Sequence, residues 1–193
     1  MPQRLIVWAC GCVLAVLGAA RQTLGITRTW DGGAGTFSWH DANNWNPDGV
    51  PQAADDVIID VPGTITVTFS TGTSTINSLT CQENLTFTGG TLILTTTAVM
   101  HGAATLNGGT LQGGTWDLTA GSLSATANSA NRLTGVTVNG DLTLSAGNAQ
   151  VKIEGGTTFE TAHLSGINCS LGFAPGQTLA TEILFEGSAG GGR

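Results

Sequence analysis

Thr64-Ile65-Thr66-Val67-Thr68-Phe69 decides how the rest of the chain is read. In an extended backbone successive side chains point to opposite faces, so Ile65, Val67 and Phe69 share one face and three Thr share the other. Such a segment is a half-buried strand. The same period of two returns in Leu85-Thr86-Phe87, Leu92 to Leu94, Trp116-Asp117-Leu118, Val136-Thr137-Val138, Leu142-Thr143-Leu144, Val151-Lys152-Ile153 and Ile183-Leu184-Phe185. No comparable helical period occurs after residue 20.

The density of these runs separates two all-β architectures. Sandwiches set turn signals every ~8 to 12 residues, whereas runs of three to five residues recur here about every six to nine. The spacing predicts an all-β solenoid, with coils over residues 63–186. A weak internal repeat agrees, because Gly89-Gly90-Thr91-Leu92, Gly108-Gly109-Thr110-Leu111, Gly113-Gly114-Thr115-Trp116 and Gly155-Gly156-Thr157-Thr158 each put a turn directly before a strand. The first two lie nineteen positions apart, about one coil.

Composition fits the same architecture. Among 193 residues there are 29 Gly and thirty Thr, while only 10% are charged. Stacked coils would place long charged side chains against copies of themselves. Thr keeps β-propensity through its branched Cβ and presents a hydroxyl outward, and Gly opens corners that need a positive φ. A coil cannot stand alone, so stability requires several coils together. The formal charge of -7 with six Lys and Arg supplies no electrostatic footprint for a phosphate backbone, so nucleic acid is not an expected partner.

Residues 28–62 differ in composition from the coil region, within a cap expected over residues 21–62. Trp30, Trp39 and Trp45 sit among Asp31, Asp41, Asp48, Asp55, Asp56 and Asp60, with turn signals at Gly32-Gly33, Asn43-Asn44, Pro47-Asp48-Gly49 and Pro51. This reads as an N-terminal cap, mostly loop, with short strands around Thr36 to Trp39 and Asp56 to Val61. At the other end Gly187 to Arg193 is a Gly-rich tail with no amphipathic segment to cover the last coil. Native solenoids protect such edges. The expectation is therefore a piece of a longer array, or an edge used for self-association.

The leading residues read as an address. Arg4 precedes an apolar run from Leu5 to Leu17, and Gly18-Ala19-Ala20 offers the small residues of a cleavage site, so residues 1–20 are expected to be a secretory signal peptide. The apolar run is shorter than the ~20 residues that span a bilayer, so no stable membrane span is expected after cleavage. A lipoprotein reading rests on Val7-Trp8-Ala9-Cys10 and requires a lipid adduct on Cys10. With Cys10 and Cys12 removed, Cys81 and Cys169 remain. An oxidising compartment permits a bridge between them, and the alternative is that each is a small buried apolar residue.

The segment Trp39-His40-Asp41-Ala42-Asn43-Asn44-Trp45-Asn46-Pro47-Asp48-Gly49-Val50-Pro51, with Asp55-Asp56-Val57-Ile58-Ile59-Asp60 after it, resembles an N-terminal motif of large secreted bacterial β-solenoid proteins. Leu133 to Leu144 and Gln177-Thr178-Leu179 are similar to phrases repeated in the same proteins. These are proteins akin to autotransporter passengers and filamentous-haemagglutinin-type adhesins. The resemblance implies an all-β, right-handed parallel β-helix at the cell exterior with an adhesive or scaffolding role, and it carries over no catalytic residues.

Candidate chemistry centres on the cap. Asp55, Asp56 and Asp60 are the first choices for a Ca²⁺ site, which takes oxygen ligands, against the reading of solvated turn residues; no other cofactor is implied. Trp30, Trp39 and Trp45 offer flat indole faces on which sugar rings of a polysaccharide stack, against the reading that they bury the open core of the first coil. Asp55-Asp56 and His101-Gly102 echo pieces of β-helical polygalacturonases, but both carboxylates precede the coils and Arg132 and Lys152 are the only basic residues from Thr64 to Glu186. His40-Asp41 and His163-Leu164-Ser165 do not by themselves make a triad. The expected function is that of a non-catalytic, secreted or cell-surface structural module; a glycan-binding module centred on the cap is the alternative.

Overall fold

A computed structural model describes residues 24–178 and 181–187. The expected signal peptide, with Cys10 and Cys12, lies outside the described residues, as do residues 188–193 of the expected tail. Alternation of apolar and hydroxyl side chains does what it should: Thr66-Val67-Thr68-Phe69 forms a strand with Val67 and Phe69 buried.

The strands fall into three sheets wrapped around one core. Sheet 1 contains β1 (Thr27–Trp30), β2 (Trp45–Asn46), β3 (Asp56–Ile59), β6 (Ser78–Cys81), β9 (Thr97–Met100), β12 (Thr115–Asp117) and β15 (Thr137–Asn139). Sheet 2 contains β4 (Thr66–Phe69), β7 (Asn84–Phe87), β10 (Ala103–Leu106), β13 (Ser122–Ala125), β16 (Leu142–Leu144), β18 (Thr161–Leu164) and β20 (Glu182–Phe185). Sheet 3 contains β5 (Thr73–Ile76), β8 (Thr91–Leu94), β11 (Thr110–Gln112), β14 (Arg132–Thr134), β17 (Gln150–Glu154) and β19 (Ser170–Phe173). From β3 to β17 the chain visits sheets 1, 2 and 3 in strict rotation, so each coil contributes one strand to each face. The result is a parallel β-solenoid of about six turns.

Coil length is set by the register. Thr86 pairs with Thr105, and Thr105 with Ser124, at an offset of 19 residues in sheet 2, while Gln112 pairs with Thr134 at an offset of 22 in sheet 3. Like residues therefore stack. Leu92, Leu111, Leu133 and Ile153 form one inward row, and all four are fully buried. Thr73, Thr91 and Thr110 form an outward row beside it.

Corners are turned where side chains permit it. Gly90 has φ +71, and a Cβ there would lie 2.5 Å from the Gly72 carbonyl oxygen, so the stacked corner demands Gly. The later corners between sheets 2 and 3 use Asn148 and Asn168, with φ 58 and 57, as their left-handed residues. Longer corners need internal support. Asn131, 1% exposed, accepts from the Gly108 N–H at 2.6 Å and donates to the Thr126 and Gln150 carbonyls at 3.0 Å each, joining three successive coils.

Two expectations are corrected. The coils begin at Asp56 rather than at residue 63, because β3 already pairs in parallel with β6 through four residues. Thr36 to Trp39 is not a full strand. Ser38 makes an isolated parallel bridge to Thr68, and the chain then leaves for a 3-10 turn, Ala42–Asn44, whose Asp41 cap accepts from the Asn43 N–H.

Candidate functional site

The cap is built from aromatic side chains that enter the core rather than leave it. Trp30, Trp39 and Trp45 are 2%, 0% and 0% exposed. Their rings meet edge to face, with centroids 5.0 Å apart for Trp30 and Trp45 and 4.9 Å for Trp39 and Trp45. Trp39 continues onto Phe69 at 5.7 Å, Phe69 onto Phe87 at 5.8 Å, and Phe87 onto Trp116 at 6.1 Å. The three cap indoles thus head an aromatic file running into the coils. The proposed sugar-stacking platform is corrected accordingly, since no indole face is open to a ring outside.

The aspartates are likewise separated by strand alternation. Asp55 is 4% exposed, and its Oδ1 accepts from the Ile26 N–H at 3.2 Å. Its Oδ2 accepts from Arg28 Nε at 2.7 Å and from the Gln52 N–H at 2.9 Å. Burial is the largest influence and raises the Asp55 pKa, but the Gln52 N–H, Arg28 and the Ile26 N–H together outweigh it and hold the carboxyl below its usual value. Asp56 points outward and accepts from Asn77 Nδ2 at 2.7 Å and from the Ser78 hydroxyl. Asp60 is exposed beyond β3. Asp55, Asp56 and Asp60 therefore do not converge, and among the described residues no group of three or more His, Cys, Asp or Glu is placed to hold a metal ion.

A cleft of about 350 Å³ opens where the cap meets sheet 3, lined by His40, Val50, Pro51, Gln52, Ala53 and Gly72 to Thr75. His40 packs against Phe69 with centroids 4.7 Å apart, and neither of its buried ring nitrogens has a hydrogen-bond partner. Burial lowers its pKa and so favours the neutral imidazole. No charged side chain lines this cleft.

Sequence reading missed a second cluster, on the outer face of sheet 2. His163 Nδ1 lies 3.0 Å from Glu186 Oε1, and its Nε2 lies 3.3 Å from Asp141 Oδ2. The Glu186 hydrogen bond chiefly, with Asp141 adding and desolvation opposing, raises the His163 pKa. The signal was available in the coil period, for the partners lie 22 and 23 positions from His163. His163 thus meets carboxylates, while Ser165 makes no hydrogen bond to it, and the His163-Leu164-Ser165 fragment is not a nucleophile with its base.

Cys81 and Cys169 are both free and buried. The Cys81 thiol donates to the Glu83 carbonyl at 3.1 Å, and burial pushes its pKa up to about 12. No family model matches the chain, and no curated protein or solved structure matches it either.

Proposed function

We propose that this protein is an exported, non-catalytic structural module of the cell surface or extracellular matrix, a rigid scaffold akin to the β-solenoid stalks of adhesins. The observation that supports this reading best is the stacking of hydroxyl side chains on the outer faces. Thr73, Thr91 and Thr110 on sheet 3 and Thr86, Thr105 and Ser124 on sheet 2 form rows over an apolar interior, a design that supplies stiffness and length.

Self-association through the open end is the accompanying proposal. β19 and β20 are the last described strands of sheets 3 and 2, and Phe173 and Phe185 beside them are 39% and 61% exposed. A strand edge with no partner among the described residues, next to exposed aromatic rings, invites another chain.

Two measurements test the reading. Cell fractionation with intact mass is expected to find the chain outside the cytoplasm and shortened by about 20 residues; an intracellular chain retaining residue 1 overturns the export claim. Sedimentation velocity is expected to show concentration-dependent species larger than the monomer that disappear in Phe173→Asp plus Phe185→Asp. A wild-type chain that stays monomeric at every concentration overturns the association claim.

A further inference from the structure

The cap fills only two of the three positions above the first coil. In sheet 1, β1 lies parallel on β3. In sheet 2, the Thr68 N–H donates to the Phe37 carbonyl at 2.7 Å and the Trp39 N–H to the Thr68 carbonyl at 2.9 Å. The chain then turns at His40 and folds back as β2 onto β1, so the matching position above β5 is not taken by any described strand, and sheet 3 has six strands against seven in each of the others. The cleft beside His40 occupies that position.

The backbone of β5 is set up to receive a strand there. The Gly72 and Ile76 carbonyls accept from the Thr91 and Thr95 N–H groups at 2.8 and 3.0 Å, facing β8. In an extended chain the alternate residues direct their N–H and C=O the other way. Asn77 confirms the direction, because its N–H donates to the Asp55 carbonyl on the cap side at 2.9 Å. The N–H and C=O groups of Thr73 and Thr75 therefore face the cleft, with no backbone partner among the described residues.

The inward row at this position is polar where its continuation in the stacked coils is apolar. Ser74 points inward and is 7% exposed, in the row that continues as Leu92, Leu111, Leu133 and Ile153. His40 adds two buried nitrogens with no partner. Buried polar groups without partners are costly, and an occupant with its own donors and acceptors relieves them.

We propose that this cleft is a strand-addition site that takes an extended, uncharged, hydroxyl-rich peptide segment of another polypeptide, which pairs with the Thr73 and Thr75 backbone and completes sheet 3 as a seventh strand. The ladder already present continues one step. The spacing of alternate N–H and C=O groups suits a polypeptide rather than a glycan, and the absence of charge in the lining disfavours acidic or basic segments. The site does not depend on the protein being a scaffold.

A blocked hexapeptide copying Gly72 to Asn77 is the probe, and amide hydrogen exchange of the full chain is the readout. Saturating peptide is expected to slow exchange at Thr73 and Thr75 by about tenfold or more, and to leave β20 unchanged. Thr75→Pro, which removes one of the two outward N–H groups from an edge strand that tolerates the change, is expected to abolish the slowing at Thr73. Thr73→Pro tests the other outward N–H, is read at Thr75, and serves if the first variant does not fold. Unchanged exchange at millimolar peptide overturns the proposal, as does protection that survives both substitutions. Slowing by a neutral oligosaccharide but not by the peptide assigns the cleft to sugars instead. If the full chain already protects Thr73 and Thr75 and a chain starting at Leu24 does not, the occupant is the protein's own leading segment and no separate partner is needed.

Discussion

Arg28 and Asp55 meet at 2.7 Å across the seam between the cap and the first coil, with 13% and 6% of their side chains exposed. The pair aligns β1 with the turn that launches β3, and Arg28 also donates to the Pro47 carbonyl at 2.7 Å. Removing one member leaves the other charge buried, so Arg28→Ala is expected to cost about 3 kcal/mol in denaturant unfolding. Asp55→Asn in that background is expected to cost less than it does alone. Because the Asp55 pKa is depressed, its contribution is present above the ordinary Asp value and is lost as pH falls through the lowered one.

Trp39 and Phe37 are two positions apart and should respond oppositely to truncation. Trp39 is fully buried between Trp45 and Phe69, so Trp39→Ala is expected to lose about 3 to 5 kcal/mol. Phe37 is 57% exposed, and Phe37→Ala is expected to stay within about 0.5 kcal/mol. Thermal unfolding by circular dichroism reads both.

Asn131→Ala removes three hydrogen bonds that join successive coils. The Gly108 N–H and the Gln150 carbonyl then lose their partner, while the Thr126 carbonyl keeps the Gln150 N–H at 3.0 Å, and a loss of about 3 kcal/mol is expected. Hydrogen exchange should rise at Gly108 before it rises in β4 or β7.

The two ends of the solenoid should answer pH in opposite senses. His163 has a raised pKa between Glu186 and Asp141, so its hold on the segment after β20 is full below about 6.5 and is lost as pH rises through the raised value. His40 has a lowered pKa, so the stability linked to its neutral form is full above about 6.5 and declines as pH falls. Relative to the intrinsic exchange rate at each pH, protection in β20 should fall on the alkaline side and in residues 37–39 on the acid side, and His163→Gln should flatten only the first profile.

Cys81 is expected to resist thiol reagents in the folded chain, because the thiolate is the reactive form and burial has pushed its pKa to about 12. Both Cys81 and Cys169 should react promptly in denaturant, and rapid native labelling of either would contradict its buried placement.

The coils were legible because their signal is local. Val67 and Phe69, Leu85 and Phe87, and Leu142 and Leu144 alternate with polar neighbours, and each pair is buried where alternation puts it. Strands with weaker contrast, such as Thr73–Ile76 with inward Ser74 or Thr97–Met100 with inward Ala98, carry no such pattern by themselves. They become strands because stacking neighbours supply the partner. The cap's chemistry was less legible for a related reason. That Asp55 turns to Arg28 while Asp56 turns to Asn77 depends on a register set by β1 and β6, and nothing within residues 55–60 announces it.

The unequal corners have an evolutionary corollary. Along the ridge between sheets 2 and 3, Thr105 and Gln112 are separated by seven positions whereas the equivalent Ser124 and Thr134 are separated by ten, yet the ladders on either side stay in step. Segment length is thus decoupled from the interior along that ridge. Insertions, tags or diversified loops grafted beside Ser129 would project from that border, provided that Asn128 keeps its bond to Asn107 and Ala127 its bond to Gln150 in the coils on either side.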